Sequence, residues 1–190
     1  MIFMDTLKNR ERIPRITRVL HTFVQQSHNR GMVMAKWDNR FIALAQHIAE
    51  WSKDPSTKVG AVLVDADRRV VSMGYNGAPR GTAEPSEGDR EQKLMRTIHA
   101  EENALHFAHR DVAGCTMYIS RPPCAKCAAH MIQRGVKEVV YTYDGYDYQD
   151  YMSRWKESFM EAVTMLAEAG VQIKGVTNHP PTIIITHPLV

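Results

Sequence analysis

Residues 97–127 hold the groups best suited to chemistry. The stretch opens Thr97-Ile98-His99-Ala100-Glu101 and closes Pro122-Pro123-Cys124-Ala125-Lys126-Cys127. Reduced to reactive groups it reads His-x-Glu and, further on, Pro-Cys-x-x-Cys. An imidazole and two thiolates are good zinc ligands. Three protein ligands leave the fourth tetrahedral position open, whereas a structural zinc site usually closes with four. An open position admits water, and zinc makes that water acidic enough to ionise near neutral pH. Glu101, two residues from His99, suits proton movement to and from it. Such a set could exchange an exocyclic amine for a carbonyl: hydroxide for the ring carbon, one proton for the ring nitrogen and one for departing ammonia.

Each half of the pattern is ambiguous alone. Cys-x-x-Cys also occurs in redox motifs and structural zinc knuckles, and His-x-Glu by itself says little. In this order, with Pro directly before the first cysteine, the combination is specific. A structural knuckle needs a fourth ligand, and the nearby candidates His106, His109, Cys115 and His130 repeat no metal-ligand pair. One catalytic zinc per chain is therefore expected, held by His99, Cys124 and Cys127, with Glu101 as the proton carrier.

The elements must bring these groups together. Residues two apart in a regular helix point about 200° apart, so His99 and Glu101 can serve one site only from a helix start. The apolar positions Ala100, Ala104, Leu105 and Ala108 place such a helix there. A second helix starts at Cys124, and its partial positive charge favours thiolates.

A chain of 190 residues is long enough for one well-buried domain. The 44% hydrophobic and 24% charged residues are ordinary for a globular protein. A formal charge of +3 fits an anionic metabolite as partner but lacks the basic stripe of a dedicated nucleic-acid binder. Cys115 falls in an apolar run and reads as a buried small hydrophobe. With three cysteines and no disulfide framework, a cytoplasmic location is expected. Neither a secretory signal nor a membrane-crossing run is evident.

In chain order, residues 1–34 read as an N-terminal extension, helical around 10–25. An amphipathic helix follows, with Phe41, Leu44, Ala45, Ile48 and Trp51 at helical steps and Asp38 available as N-cap; Pro55 ends it. Residues 59–64 and 70–75 form a β-hairpin. The glycine-rich loop 74–81 either turns the chain or holds a ligand near backbone, with Asn76 offering both donor and acceptor. Residues 82–90 are a polar excursion that could cover the site. Strands at 115–119, 137–142 and 171–176 alternate with helices from Cys124 and over 153–169. The tyrosine-rich loop 143–151 is open between a lid stacking on a base and a subunit contact. Helices between strands imply an α/β sheet with parallel members after an antiparallel opening hairpin. The domain spans 35–176, and 177–190 is a tail.

Residues 52–62 (Ser-Lys-Asp-Pro-Ser-Thr-Lys-Val-Gly-Ala-Val), 74–79 (Gly-Tyr-Asn-Gly-Ala-Pro), His99-Ala100-Glu101 and Pro123-Cys124-Ala125-Lys126-Cys127 together resemble the deoxycytidylate (dCMP) deaminase family, in the family's order. The resemblance implies a three-layer α/β/α cytidine-deaminase-like sandwich around a five-stranded mixed sheet. It implies hydrolytic deamination of dCMP to dUMP and ammonia, one Zn2+ per chain, a homohexamer, and regulation by dCTP and dTTP, with Mg2+ only where a triphosphate effector binds. It assigns Asn76 and Ala100 to the nucleotide, Lys58 to its phosphate, and Gly77, Pro79 and Gly81 to an allosteric loop. Free cytidine deaminases usually have Cys at the position of His99, and tRNA adenosine deaminases a Met between the motif cysteines; this chain departs from both. The alternatives are a deaminase of another or modified cytosine nucleotide, a tRNA or polynucleotide deaminase, and an inactive zinc-binding module. The segment between Gly81 and Arg96 lacks the Cys and His that some members use for a second metal.

Overall fold

The computed structural model describes residues 36–85 and 88–177. The expected extension over 1–34 and all but the first residue of the tail lie outside them. The elements are α1 (Lys36–Ala49), β1 (Gly60–Val64), β2 (Val70–Tyr75), α2 (Arg90–Arg96), α3 (Ala100–His106), β3 (Thr116–Ile119), α4 (Ala125–Gln133), β4 (Glu138–Thr142), α5 (Tyr148–Glu168) and β5 (Gln172–Val176).

Five strands form one sheet in the order β2-β1-β3-β4-β5. β1 runs antiparallel to β2 and β3, while β3, β4 and β5 are parallel, so the sheet is mixed as expected. Successive strand side chains point to opposite faces, and the two cores divide accordingly. Ala61, Leu63, Met117, Ile119, Val139 and Tyr141 face the layer of α3, α4 and α5. Val62, Val64, Tyr118 and Val140 face Phe41, Ile42, Ala45 and Ile48 of α1. Three layers result.

Three differences from the sequence reading have physical causes. Asp38 lies inside α1 and is no N-cap; it is buried and accepts from Tyr118 Oη at 3.0 Å and from Lys174 Nζ. α2 was not expected because it buries no residue and so has no apolar stripe; Asp89 caps it, accepting from Gln92 N at 2.9 Å. α5 begins at Tyr148, with Asp147 as N-cap accepting from Asp150 N at 2.9 Å, which takes Tyr148 and Tyr151 out of the supposed loop.

One glycine fixes the position of α3. A Cβ on Gly74 of β2 would run into Ala100 O and Ala104 N. Its absence lets the first turn of α3 lie directly on the sheet.

Candidate metal centre and nucleotide cavity

His99 is the N-cap of α3, with extended backbone (φ −73°, ψ 158°), and Cys124 is the N-cap of α4, likewise extended (φ −86°, ψ 165°). Caps have non-helical backbone, which frees each side chain from the helical fan. His99 Nδ1 consequently lies 3.4 Å from Cys124 Sγ and 3.4 Å from Cys127 Sγ. Among the described residues these three form the group able to hold a metal. Tetrahedral zinc with ordinary Zn–N and Zn–S bonds places such nitrogen and sulfur atoms about 3.5 Å apart. The donor set and its spacing therefore fit zinc.

Cys115 is buried in the apolar core, and His130 sits 3.7 Å from a Glu102 oxygen. Neither closes the group. His99 and Cys124 both line a cavity of about 640 Å³, so the uncompleted side faces open space.

The site's electrostatics follow from burial beside a charged pair. Glu101 is 3% exposed. Desolvation pushes its carboxyl up to about 7, against the pull of His99 and with the push of Cys124. A hydrogen bond with Cys127, joined by His99, brings the Cys124 thiol down to about 4, while the same bond and burial push Cys127 up. The bond with Cys124 raises His99 to about 9. Metal ligands must be deprotonated, so loading this group releases protons.

A second carboxylate braces the ligands. Glu102 accepts from the His99 backbone N–H at 3.1 Å through Oε2 and lies 3.0 Å from Lys126 Nζ through Oε1. The N–H bond is one half of a capping box.

The other expected residues fall as follows. Ala100 is fully buried and lines the cavity. Asn76 lines it too, but its Oδ1 accepts from Val59 N at 2.8 Å and its Nδ2 donates to Thr57 O at 2.8 Å. The amide thus first clamps the 57–59 backbone, with one N–H left over. Gly77 lines the cavity and exchanges two backbone bonds with Ile98, tying the glycine loop to the residue before His99. Pro79 and Gly81 belong to a turn closed by Thr82 and do not line the cavity. Lys58 is exposed and also does not line it; a shallower hollow beside Gln46 and Gly145 takes it instead. The excursion does form a wall, through Glu84, Pro85 and Gly88.

Two cavity residues, Trp155 and Arg121, were not expected at the site, and a third, Tyr151, belongs to the tyrosine-rich stretch whose role the sequence leaves open. Trp155 of α5 meets the His99 ring edge-on at 6.5 Å, and Tyr151 stacks on Trp155 at 6.3 Å. Arg121 lies over the Tyr146 ring at 4.1 Å. Trp155 looks like an ordinary core position, whereas Arg121 stands directly before Pro122-Pro123-Cys124, a signal the sequence carries. The tyrosines mostly pack on one another: Tyr141 and Tyr143 share a hydroxyl bond of 2.7 Å, and Tyr151 Oη donates to Pro122 O at 2.9 Å.

A family profile described as the cytidine and deoxycytidylate deaminase zinc-binding region matches residues 35–143. The chain is 42% identical over 142 residues to an uncharacterised deaminase of Aliivibrio fischeri, covering 74% of this chain and 94% of that one. It is 37% identical over 123 residues to human deoxycytidylate deaminase, covering 60% and 69%. The dCMP deaminase of cyanophage S-TIM5, solved in complex with dCMP and dUMP, superposes with a TM-score of 0.59 at 23% identity, over 73% of this chain and 95% of that one. That last likeness speaks for the fold. The matched profile takes in α1, the hairpin, all three candidate ligands and the cavity wall apart from Tyr151, Arg154 and Trp155, and the chain belongs to the cytidine and deoxycytidylate deaminase zinc-binding family.

Proposed function

We propose that the chain hydrolyses dCMP to dUMP and ammonia with one zinc ion held by His99, Cys124 and Cys127. The observation that carries this is the buried Glu101 carboxyl beside a three-donor group open to a nucleotide-sized cavity. The family supports the reaction class, and relatives named deoxycytidylate deaminase support the substrate.

Zinc, when bound, supplies a Lewis acid that makes water nucleophilic at neutral pH. Glu101 does the proton work. Its carboxylate takes a proton from the attacking water, passes it to the cytosine ring nitrogen, and then carries the second proton to the departing amine. A group whose pKa lies near 7 exchanges protons in both directions at neutral pH. Trp155, edge-on to His99, gives the base an apolar wall, and the Ala100 backbone and the remaining Asn76 N–H offer contacts to its polar edge. Burial of Glu101 limits competing bulk water.

The proposal extends to a homohexamer in a reducing cytoplasm, with dCTP and dTTP as effectors and Mg2+ accompanying a bound triphosphate. The family resemblance supports these, and the free thiols support the compartment. Among the described residues, no helix is long and apolar enough to cross a membrane. The test is ammonia release and product identity with dCMP, CMP, deoxycytidine and dCTP, on protein assayed for zinc, with and without added dCTP or dTTP. Preference for dCMP with about one zinc per chain supports the proposal. Inactivity on dCMP in zinc-loaded protein overturns it.

A further inference from the structure

Arg121 is an unusual cation for a cavity wall. Its guanidinium lies 4.1 Å from the centre of the Tyr146 ring and 5.7 Å from that of Tyr151, and its Nε donates to Lys58 O at 3.3 Å. These contacts hold it half-buried between two spaces, the cavity that Glu101 and Cys124 line and the smaller hollow beside Lys58, and it lines both. The other cations there are differently placed. Lys93 Nζ meets Asp54 Oδ1 at 2.8 Å, Arg154 meets Asp150 at 2.5 Å, and Lys53 faces Glu84 at 3.6 Å. Arg90 is exposed, where a charge carries little desolvation cost. Among the described residues the arginines in ion pairs are Arg69, Arg110 and Arg154; Arg121 is in none, and the Asp150 carboxylate, paired to Arg154, acts on it only from beyond ion-pair distance.

Holding a charge partly out of water without a counter-ion costs free energy, and that cost is recovered when an anion arrives. Burial accordingly lowers the Arg121 pKa from its usual value, although the guanidinium stays charged. The two rings lie within cation–π reach of the guanidinium, and the bond to Lys58 O uses only Nε. The terminal nitrogens remain for a planar, bidentate contact, the geometry a phosphomonoester dianion accepts.

We propose that Arg121 receives the 5′-phosphate of the nucleotide and makes this chain select nucleotide over nucleoside. The assignment rests on the proposed deamination of dCMP, and it replaces Lys58, whose side chain lies outside the cavity, as the phosphate partner. Arg121 is a specificity residue; the proton transfers belong to Glu101.

The experiment compares wild type, Arg121→Met and Arg121→Lys, each with zinc content measured. Calorimetry gives dCMP binding, and steady-state rates give kcat/KM for dCMP and deoxycytidine. Arg121→Met should weaken dCMP binding and lower kcat/KM for dCMP by about 10- to 100-fold, mostly through KM. Deoxycytidine should be handled as by wild type, and Arg121→Lys should recover part of the loss. Inorganic phosphate should compete with dCMP on wild type and lose that effect on Arg121→Met. Unchanged dCMP binding overturns the assignment, as does an equal loss on both substrates with zinc retained. If wild type binds dCMP, Arg121→Met weakens that binding, and neither releases ammonia, the deamination proposal falls while the phosphate contact stands.

Discussion

Lys126 Nζ lies 3.0 Å from Glu102 Oε1, and that contact joins the helix that starts at His99 to the helix that starts at Cys124. The other Glu102 oxygen holds the His99 backbone N–H at 3.1 Å. One carboxylate therefore sets the relative position of the imidazole and the two thiols. Burial pushes the Glu102 carboxyl up, but the His99 backbone N–H and then the Lys126 ammonium outweigh it and hold it below its usual value, so it is ionised at neutral pH.

Loss of this brace should loosen the metal group more than the fold. Glu102→Gln is expected to lower zinc affinity by about 10- to 100-fold, the usual effect of removing a partner behind a metal ligand, and Lys126→Met, whose ammonium is largely exposed, by less. The double variant should lose less than the two singles combined, because both break one contact. Competition with a chelator, followed by circular dichroism of the metal-free proteins, checks both.

Gly74→Ala should strike the site through packing. The added methyl meets backbone atoms of Ala100 and Ala104, which cannot rotate away. A destabilisation of about 1–3 kcal/mol is expected, with α3 displaced and zinc bound more weakly. The denaturant midpoint and the zinc content of purified protein measure the two effects.

Acid should expose the role of Asp54. Burial acts to raise its carboxyl, but the Lys93 ammonium and the backbone N–H groups of Thr57 and Ser56 outweigh this and hold it below 3.8. The folded form is then the stronger acid, so the stability Asp54 contributes is present above pH 3.8 and is lost as pH falls through its depressed folded value. The gap in unfolding midpoint between wild type and Asp54→Asn should be full at neutral pH and shrink on acidification. A gap that widens towards acid would contradict the sign.

The sequence makes the metal group legible because caps are local: His99 and Cys124 sit at helix starts whatever the rest of the chain does. The sheet is legible through short apolar, β-branched runs, as in Ala61-Val62-Leu63-Val64, whose members are buried on both faces of the sheet. α2 is not, since a helix that buries nothing carries no periodic stripe. Asp38 looks like a cap in sequence, and only the fold brings Tyr118 and Lys174 to it. Arg121 and Lys58 trade places for the same reason. Both are cations near motif residues in the chain, but the tyrosines that hold Arg121 against the cavity wall come from 25 or more residues away, as the Tyr146 contact shows.

The most direct test is the rate of ammonia release from dCMP by wild type and Glu101→Gln at equal zinc content. The glutamine preserves shape and packing but cannot carry the protons. Turnover should fall by at least about 100- to 10,000-fold while each chain keeps its zinc. Near-normal turnover by Glu101→Gln would contradict the account, because the proton work would then belong to another group.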